Sequence, residues 1–167
     1  MVDKEKIRSE YIFFTKKLIK KNISITTMES CTGGLISSLI TDTEGSSAIF
    51  AGSLVTYSNN AKIMLGVPSE IIKKYSVYSE ETAKAMATAA RNTFNAMIGV
   101  GITGTTGNID PNNTEDSVPG KIYYSISSKE KTESFRIELP PQNSRIDYKF
   151  LAAEKILEKL ALFTKSM

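Results

Sequence analysis

The chain has 167 residues, 41% of them hydrophobic, enough to build one continuous core without disulfide or metal staples, so a single domain over residues 1–167 is expected. Twenty-one Lys and Arg against eighteen Asp and Glu leave a net charge of +3, spread along the chain; composition therefore gives no reason to expect nucleic acid or a membrane as a partner. There is no histidine and a single cysteine, Cys31, which excludes Ser-His-Asp and Cys-His catalysis, histidine-rich zinc sites, thiolate clusters and an internal disulfide.

Any catalytic base must then be Lys, Tyr, Asp or Glu. No apolar run approaches the roughly 18 residues of a membrane span. The first residues, Met1-Val2-Asp3-Lys4-Glu5-Lys6, contain acids and lack a signal-peptide core, so a cytoplasmic location is expected.

Ile7, Tyr11, Phe14 and Leu18 recur at helical spacing, which predicts an amphipathic helix over about 4–21 that Asn22 ends. Ile23 to Met28 alternates with β-branched residues and predicts a strand ending at Glu29. Leu35, Ile36, Leu39 and Ile40 predict a helix starting from the pair Gly33-Gly34. A second strand is expected from Ala48 to Tyr57, then a short helix capped by Ser58 or Asn59. Pro68 with Glu70 opens another short helix, and Ser79 with Thr82 a longer one with Ala83, Met86, Ala87, Ala90 and Phe94 on its apolar face.

Ala96 to Thr103 predicts a strand buried on both faces. Gly104 to Pro119 has no hydrophobic period and reads as a long loop. Lys121–Ser127 and Thr132–Leu139 predict a hairpin, and 143–163 a closing helix. This order places helices on both sides of a mixed sheet of about five strands, an α/β class domain in a three-layer α/β/α sandwich.

Three places could carry chemistry. Ser30 lies between a strand end and a glycine-rich helix start, where backbone N–H groups near Thr32, Gly33 and Gly34 can face a phosphate or an oxyanion; Ser30 or Thr32 acting only as a helix cap explains the same residues. Tyr57 and Lys62 flank the next strand end. A lysine in the first turn of a helix is disfavoured by the helix dipole, which lowers its pKa and suits a base that deprotonates a serine, although an ordinary surface lysine fits as well.

Gly101 to Gly107 offers backbone donors and hydroxyls but lacks the Gly-Lys-Ser/Thr ending of a P-loop. Arg145, at the start of the last helix, could clamp a phosphate with its planar fork or could simply lie on the surface. Cys31 reads as a small packed side chain rather than a second nucleophile.

Glu29-Ser30-Cys31-Thr32-Gly33-Gly34, Gly45-Ser46-Ser47 and Val55-Thr56-Tyr57-Ser58-Asn59 with Ala61-Lys62 and Leu65-Gly66-Val67, taken in order, resemble the CinA C-terminal domain family from about residue 5 to 162. That family includes nicotinamide mononucleotide deamidases. The resemblance implies a stand-alone α/β/α domain that hydrolyses a small-molecule nucleotide, nicotinamide mononucleotide, to nicotinic acid mononucleotide and ammonia without metal or cofactor, as a homodimer.

By position Ser30 matches the family's nucleophile, and Tyr57 and Lys62 its other catalytic side chains. Glu29, Thr32, Gly33, Gly34, Ser47, Asn59, Gly104, Thr105 and Arg145 are expected to bind substrate. The family's Gly-x-Ala-Gly-Pro run appears here as Gly104-Thr105-Thr106-Gly107-Asn108, which opens two further readings. One is an amidohydrolase for another small amide. The other is a non-enzymatic nucleotide- or partner-binding module linked to competence and DNA-damage responses.

Overall fold

Asp3 caps the first helix, its carboxylate accepting the Lys6 N–H at 2.9 Å, and Asn22 ends it in the left-handed conformation, as its position after the apolar stripe predicts. In the computed structural model, which describes residues 2–167, this helix is α1, Lys4–Lys21. The elements that follow are β1 Ile25–Glu29, α2 Leu35–Thr41, a single 3₁₀ turn Ser46–Ala48, β2 Ser53–Val55, α3 Asn59–Met64, α4 Ser69–Tyr75, α5 Glu80–Phe94, β3 Ile98–Gly104, β4 Lys121–Ser127, β5 Thr132–Glu138 and α6 Arg145–Phe163.

The five strands form one sheet in the order β2-β1-β3-β4-β5. The first three are parallel and the last two antiparallel, which makes this the mixed five-stranded sheet expected. Along β1 and β3 the side chains alternate: Ile25, Ile98, Val100 and Ile102 join Tyr11, Leu39 and Ile156 of α1, α2 and α6 in one core, while Met28 joins Met86 and Ala90 of α5 in another. The α/β/α layering follows from that alternation.

Helix α5 lies very close to β3. A Cβ on Gly99 or Gly101 would stand 2.1 Å from the carbonyl oxygens of Ala87 and Ala83 respectively. Those two glycines allow the helix to settle against the central strand.

The strand expected from Ala48 to Tyr57 is shorter than its composition suggests. Residues 46–48 wind into the 3₁₀ turn, and Ile49 and Gly52 give their carbonyls to the Ile25 N–H and the Thr26 hydroxyl. Gly52 also packs against Phe94, where a Cβ would meet the ring at 2.6 Å. Ladder pairing with β1 is left to Ser53–Val55.

From β1 the chain crosses to β2 through α2 on one face, then passes over β1 to β3 through α3, α4 and α5, with α5 on the other face. The connections therefore part at the C-terminal ends of β1 and β3, the position where open α/β sheets form a crevice. Among the described residues no helix is long and apolar enough to cross a membrane.

Candidate active site

Ser30 is the first residue after β1, and its N–H donates to the Ile102 carbonyl of β3 at 3.0 Å, which ties the turn to the crevice. The turn that follows is organised by Glu29. This carboxylate is fully buried and accepts six hydrogen bonds: from the hydroxyls of Thr27, Thr32 and Ser37 and from the N–H groups of Gly34, Ile36 and Ser37. An ionised carboxylate at the start of a helix satisfies the unpaired N–H groups there and is favoured by the dipole.

This arrangement narrows what Glu29, Thr32, Gly33 and Gly34 can offer a substrate. Glu29 is enclosed by its own turn and has no surface to offer a substrate. The Thr32 hydroxyl donates to Glu29 at 2.7 Å, and the Gly33 and Gly34 N–H groups donate to the Ser30 carbonyl and to Glu29, each at 3.0 Å. The start of α2 is therefore saturated from inside. Among the described residues only the N–H groups of Cys31 and Thr32 in this turn donate to no other residue.

The structure does not bring Ser47 together with the others. It is exposed in the 3₁₀ turn ahead of β2, beside the N-terminal end of β1, where Ile25 N–H meets the Ile49 carbonyl. Ser30 and Tyr57 follow the C-terminal ends of their strands. Ser47 thus lies at the opposite end of the sheet.

Lys62 comes from α3, whose N-cap Ser58 accepts the Ala61 N–H at 3.1 Å. Its side chain is 1% exposed, and its amine donates to the Thr56 carbonyl at 2.7 Å and to Ser30 Oγ at 3.1 Å. Burial lowers its pKa to about 8 from the ordinary 10.5, because the low-dielectric surroundings disfavour the ammonium. With the Thr56 carbonyl holding one N–H, the neutral amine can turn its lone pair toward the Ser30 hydroxyl.

Tyr57 is 61% exposed and its hydroxyl accepts from the Arg145 guanidinium, so a second pair faces the same cleft. The cleft has a volume of ≈ 560 Å³ and is lined by Ser30, Tyr57, Asn59, Lys62, Gly104, Thr105, Thr106, Asn108, Asp110 and Arg145 among others. Seven sequence-nominated residues thus share one cavity.

Cys31 also lines it, but burial pushes its thiol up to about 12. That leaves it un-ionised and a poor nucleophile at neutral pH. A larger groove of ≈ 990 Å³ between α1 and α6 is mainly apolar and is lined by Phe13, Phe14, Leu18 and Leu157 among others.

The long loop is less open than its composition implies. Thr105 Oγ1 lies 3.1 Å from Ser117 Oγ, which accepts the Asp110 N–H at 2.8 Å, while Tyr78 donates its hydroxyl to Asp110 at 2.6 Å. The Tyr78 bond lowers the pKa of Asp110, and burial raises that of Tyr78. Asp110 was not singled out from the sequence, because nothing in a loop without period tells which acid turns inward. The Thr106 hydroxyl is buried and has no hydrogen-bond partner among the described residues.

A family model described as CinA C-terminal domain matches residues 9–162. A CinA-like protein of Cytophaga hutchinsonii is 40% identical over 123 residues, covering 73% of this chain and 29% of the relative. A CinA-like protein of Prochlorococcus marinus is 36% identical over 154 residues, covering 90% of this chain and 36% of the relative. The chain spans about a third of the length of these curated relatives.

Among solved structures, a competence-damaged protein (CinA) superfamily protein from Escherichia coli superposes with a TM-score of 0.85 at 26% identity, covering 98% of this chain and 93% of that one. The competence/damage inducible protein CihA from Agrobacterium tumefaciens gives 0.84 at 26% identity, covering 95% and 96%. The fold, the order of the motifs and these matches agree: the chain belongs to the CinA C-terminal domain family.

Proposed function

We propose that the cleft is the active site of an amidohydrolase that converts nicotinamide mononucleotide to nicotinic acid mononucleotide and ammonia. The observation that carries this reading is the buried Lys62 amine 3.1 Å from Ser30 Oγ. In a chain without histidine, a desolvated lysine against a serine is a means of generating an alkoxide near neutral pH.

Ser30 Oγ attacks the carboxamide carbon as its proton passes to Lys62 Nζ. The oxyanion that forms is held by the N–H groups of Cys31 and Thr32, the donors in the turn left unused. As the C–N bond breaks, the proton moves from Lys62 to the leaving nitrogen with Tyr57 as relay, and ammonia departs. Water then adds to the acyl-serine, giving its proton to Lys62. Collapse returns the Ser30 hydroxyl and releases the carboxylate product.

Asn59, Gly104, Thr105 and Arg145 border the space the nucleotide would fill. Side chains and backbone N–H groups of the chain, with one water, supply every group in this sequence of steps. Release of ammonia from nicotinamide mononucleotide by purified protein, abolished in Ser30→Ala, tests the reading. Equal release by that variant would end it.

A further inference from the structure

Strands β3 and β4 pair as antiparallel neighbours up to Gly104 and Ile122, so the chain between them leaves the sheet and returns to the same place. A loop of that length without regular structure is uncommon in a compact domain and is usually functional. At its base the N–H groups of Thr105 and Gly120 donate to the Lys121 and Thr105 carbonyls at 3.0 and 2.8 Å. Its far part lines the cleft with Asn108, Asp110 and Asn113, so whatever fixes that part sets the shape of the cleft.

Among the described residues two hydrogen bonds tie the far part to another element. Tyr78 donates its hydroxyl to Asp110 Oδ2 at 2.6 Å, and Asn113 donates its amide to Ser76 Oγ at 3.4 Å. Both anchors lie in the connection between α4 and α5, residues 76–79. The first bond is the stronger, because the Asp110 carboxyl is held below its ordinary pKa and a hydroxyl donating to an ionised carboxylate is charge-assisted.

This connection is built to aim Tyr78. Ser76 has φ 72° and ψ 158°, a region that is essentially reserved for glycine, so a serine there is strained. Its neighbours hold it in that conformation. The Ser76 carbonyl accepts the hydroxyls of Ser79 and Thr82 at 2.9 and 2.7 Å, and its own hydroxyl oxygen accepts the Tyr78 N–H at 3.3 Å. The next carbonyl, of Val77, accepts the buried Thr103 hydroxyl of β3 at 3.0 Å. Strain that the surroundings over-determine gathers at functional sites, and here it turns Tyr78 toward the loop.

We propose that Tyr78 is a positioning residue that straps the Asp110 arm of the β3–β4 loop in place as a wall of the cleft that holds Ser30. The inference rests on the amidohydrolase reading for its effect on the reaction, while the strap itself is testable without it. Ser30 and Lys62 stand at the end of β1 and on α3, outside the loop, so the chemical step does not depend on the strap. Gly104, Thr105 and Thr106 begin the loop and line the same cleft. A loosened loop therefore weakens the hold on substrate and raises KM more than it lowers kcat.

Kinetics on nicotinamide mononucleotide with Tyr78→Phe, Asp110→Ala and the double variant test the coupling. Each single variant is expected to raise KM about 10-fold, with kcat within about 3-fold of wild type, for the loss of one charge-assisted bond. The double variant should do no more than either single one, because both break the same bond. Asp110→Asn keeps an oxygen for the Tyr78 hydroxyl and should recover part of the loss. An unchanged KM, a loss carried by kcat, no recovery in Asp110→Asn, or effects that multiply in the double variant would each overturn the role.

Digestion with a glutamate-specific protease reads the loop without any reaction. Glu115 is exposed in the loop, and Glu130 is exposed in the β4–β5 turn, which the strap does not touch. Cleavage after Glu115 relative to Glu130 should rise about 10-fold in Tyr78→Phe, since the protease tracks the population of the open loop. The melting temperature should stay close to wild type. An unchanged cleavage ratio overturns the strap whatever the kinetics show. If the wild-type protein releases no ammonia, the amidohydrolase reading fails, and the cleavage ratio alone decides for the strap.

Discussion

The Gly34 N–H points at Glu29 Oε2, 3.0 Å away, and not into the cleft. The glycine-rich helix start beside Ser30 is thus occupied by a carboxylate from the same turn. Glu29 fixes the backbone that presents Ser30 and leaves only the Cys31 and Thr32 N–H groups for an external anion.

Glu29→Gln should therefore damage both fold and rate. An amide has one oxygen to offer where the carboxylate has two, and its NH₂ faces groups that are themselves donors. A buried network broken this way costs about 2–4 kcal/mol. Urea unfolding should register the loss, and ammonia release should fall even below the denaturing range.

Lys62 predicts the pH dependence. Below about 8 its folded-state amine is protonated and cannot accept the Ser30 proton, so kcat/KM should rise with pH through a value near 8. Stability has the same direction. Between about 8 and 10.5 the unfolded lysine still holds a proton that the folded one has released, so stability increases with pH across that window. Lys62→Met should abolish activity and remove that slope from denaturation curves measured at pH 7.5 to 10.5.

The buried Thr106 hydroxyl lacks a partner among the described residues. Thr106→Val keeps the shape and removes the unsatisfied group, so it should leave stability unchanged or raise it by about 1 kcal/mol. Thermal melting without ligand checks this. A clear loss would mean that the hydroxyl finds a partner in solution.

Gly101→Ala should destabilise strongly, since the new Cβ would stand 2.1 Å from the Ala83 carbonyl oxygen and force α5 off β3. A cost of about 2–4 kcal/mol is expected for overpacking against backbone. Gly107→Ala, where a Cβ meets nothing within 4 Å, serves as the comparison and should cost far less.

Most of the architecture was legible because the periodicities are clean. Ile7, Tyr11, Phe14 and Leu18 of α1 are all buried, and the apolar face read for α5 packs on the sheet. Ala48–Tyr57 misled because its apolar and β-branched residues are used for packing and isolated carbonyl bonds, with only three residues in the ladder. Ser30 was legible as a strand-end residue, whereas Lys62 was read into the first turn of a helix with its pKa lowered by the dipole; it lies in the last turn of α3, and burial lowers its pKa.

What the sequence could not display was direction. Glu29 and Ser30 are neighbours, yet alternation turns one into the layer under α2 and leaves the other at the crevice.

The most direct test of the account is ammonia release from nicotinamide mononucleotide at pH 8.5 by the wild-type protein, Ser30→Ala and Lys62→Met, each first shown to be folded by circular dichroism. The account predicts steady release by the wild type and a drop of at least about 10³-fold in both variants. Release by either variant at a rate close to wild type would contradict the Ser30–Lys62 mechanism.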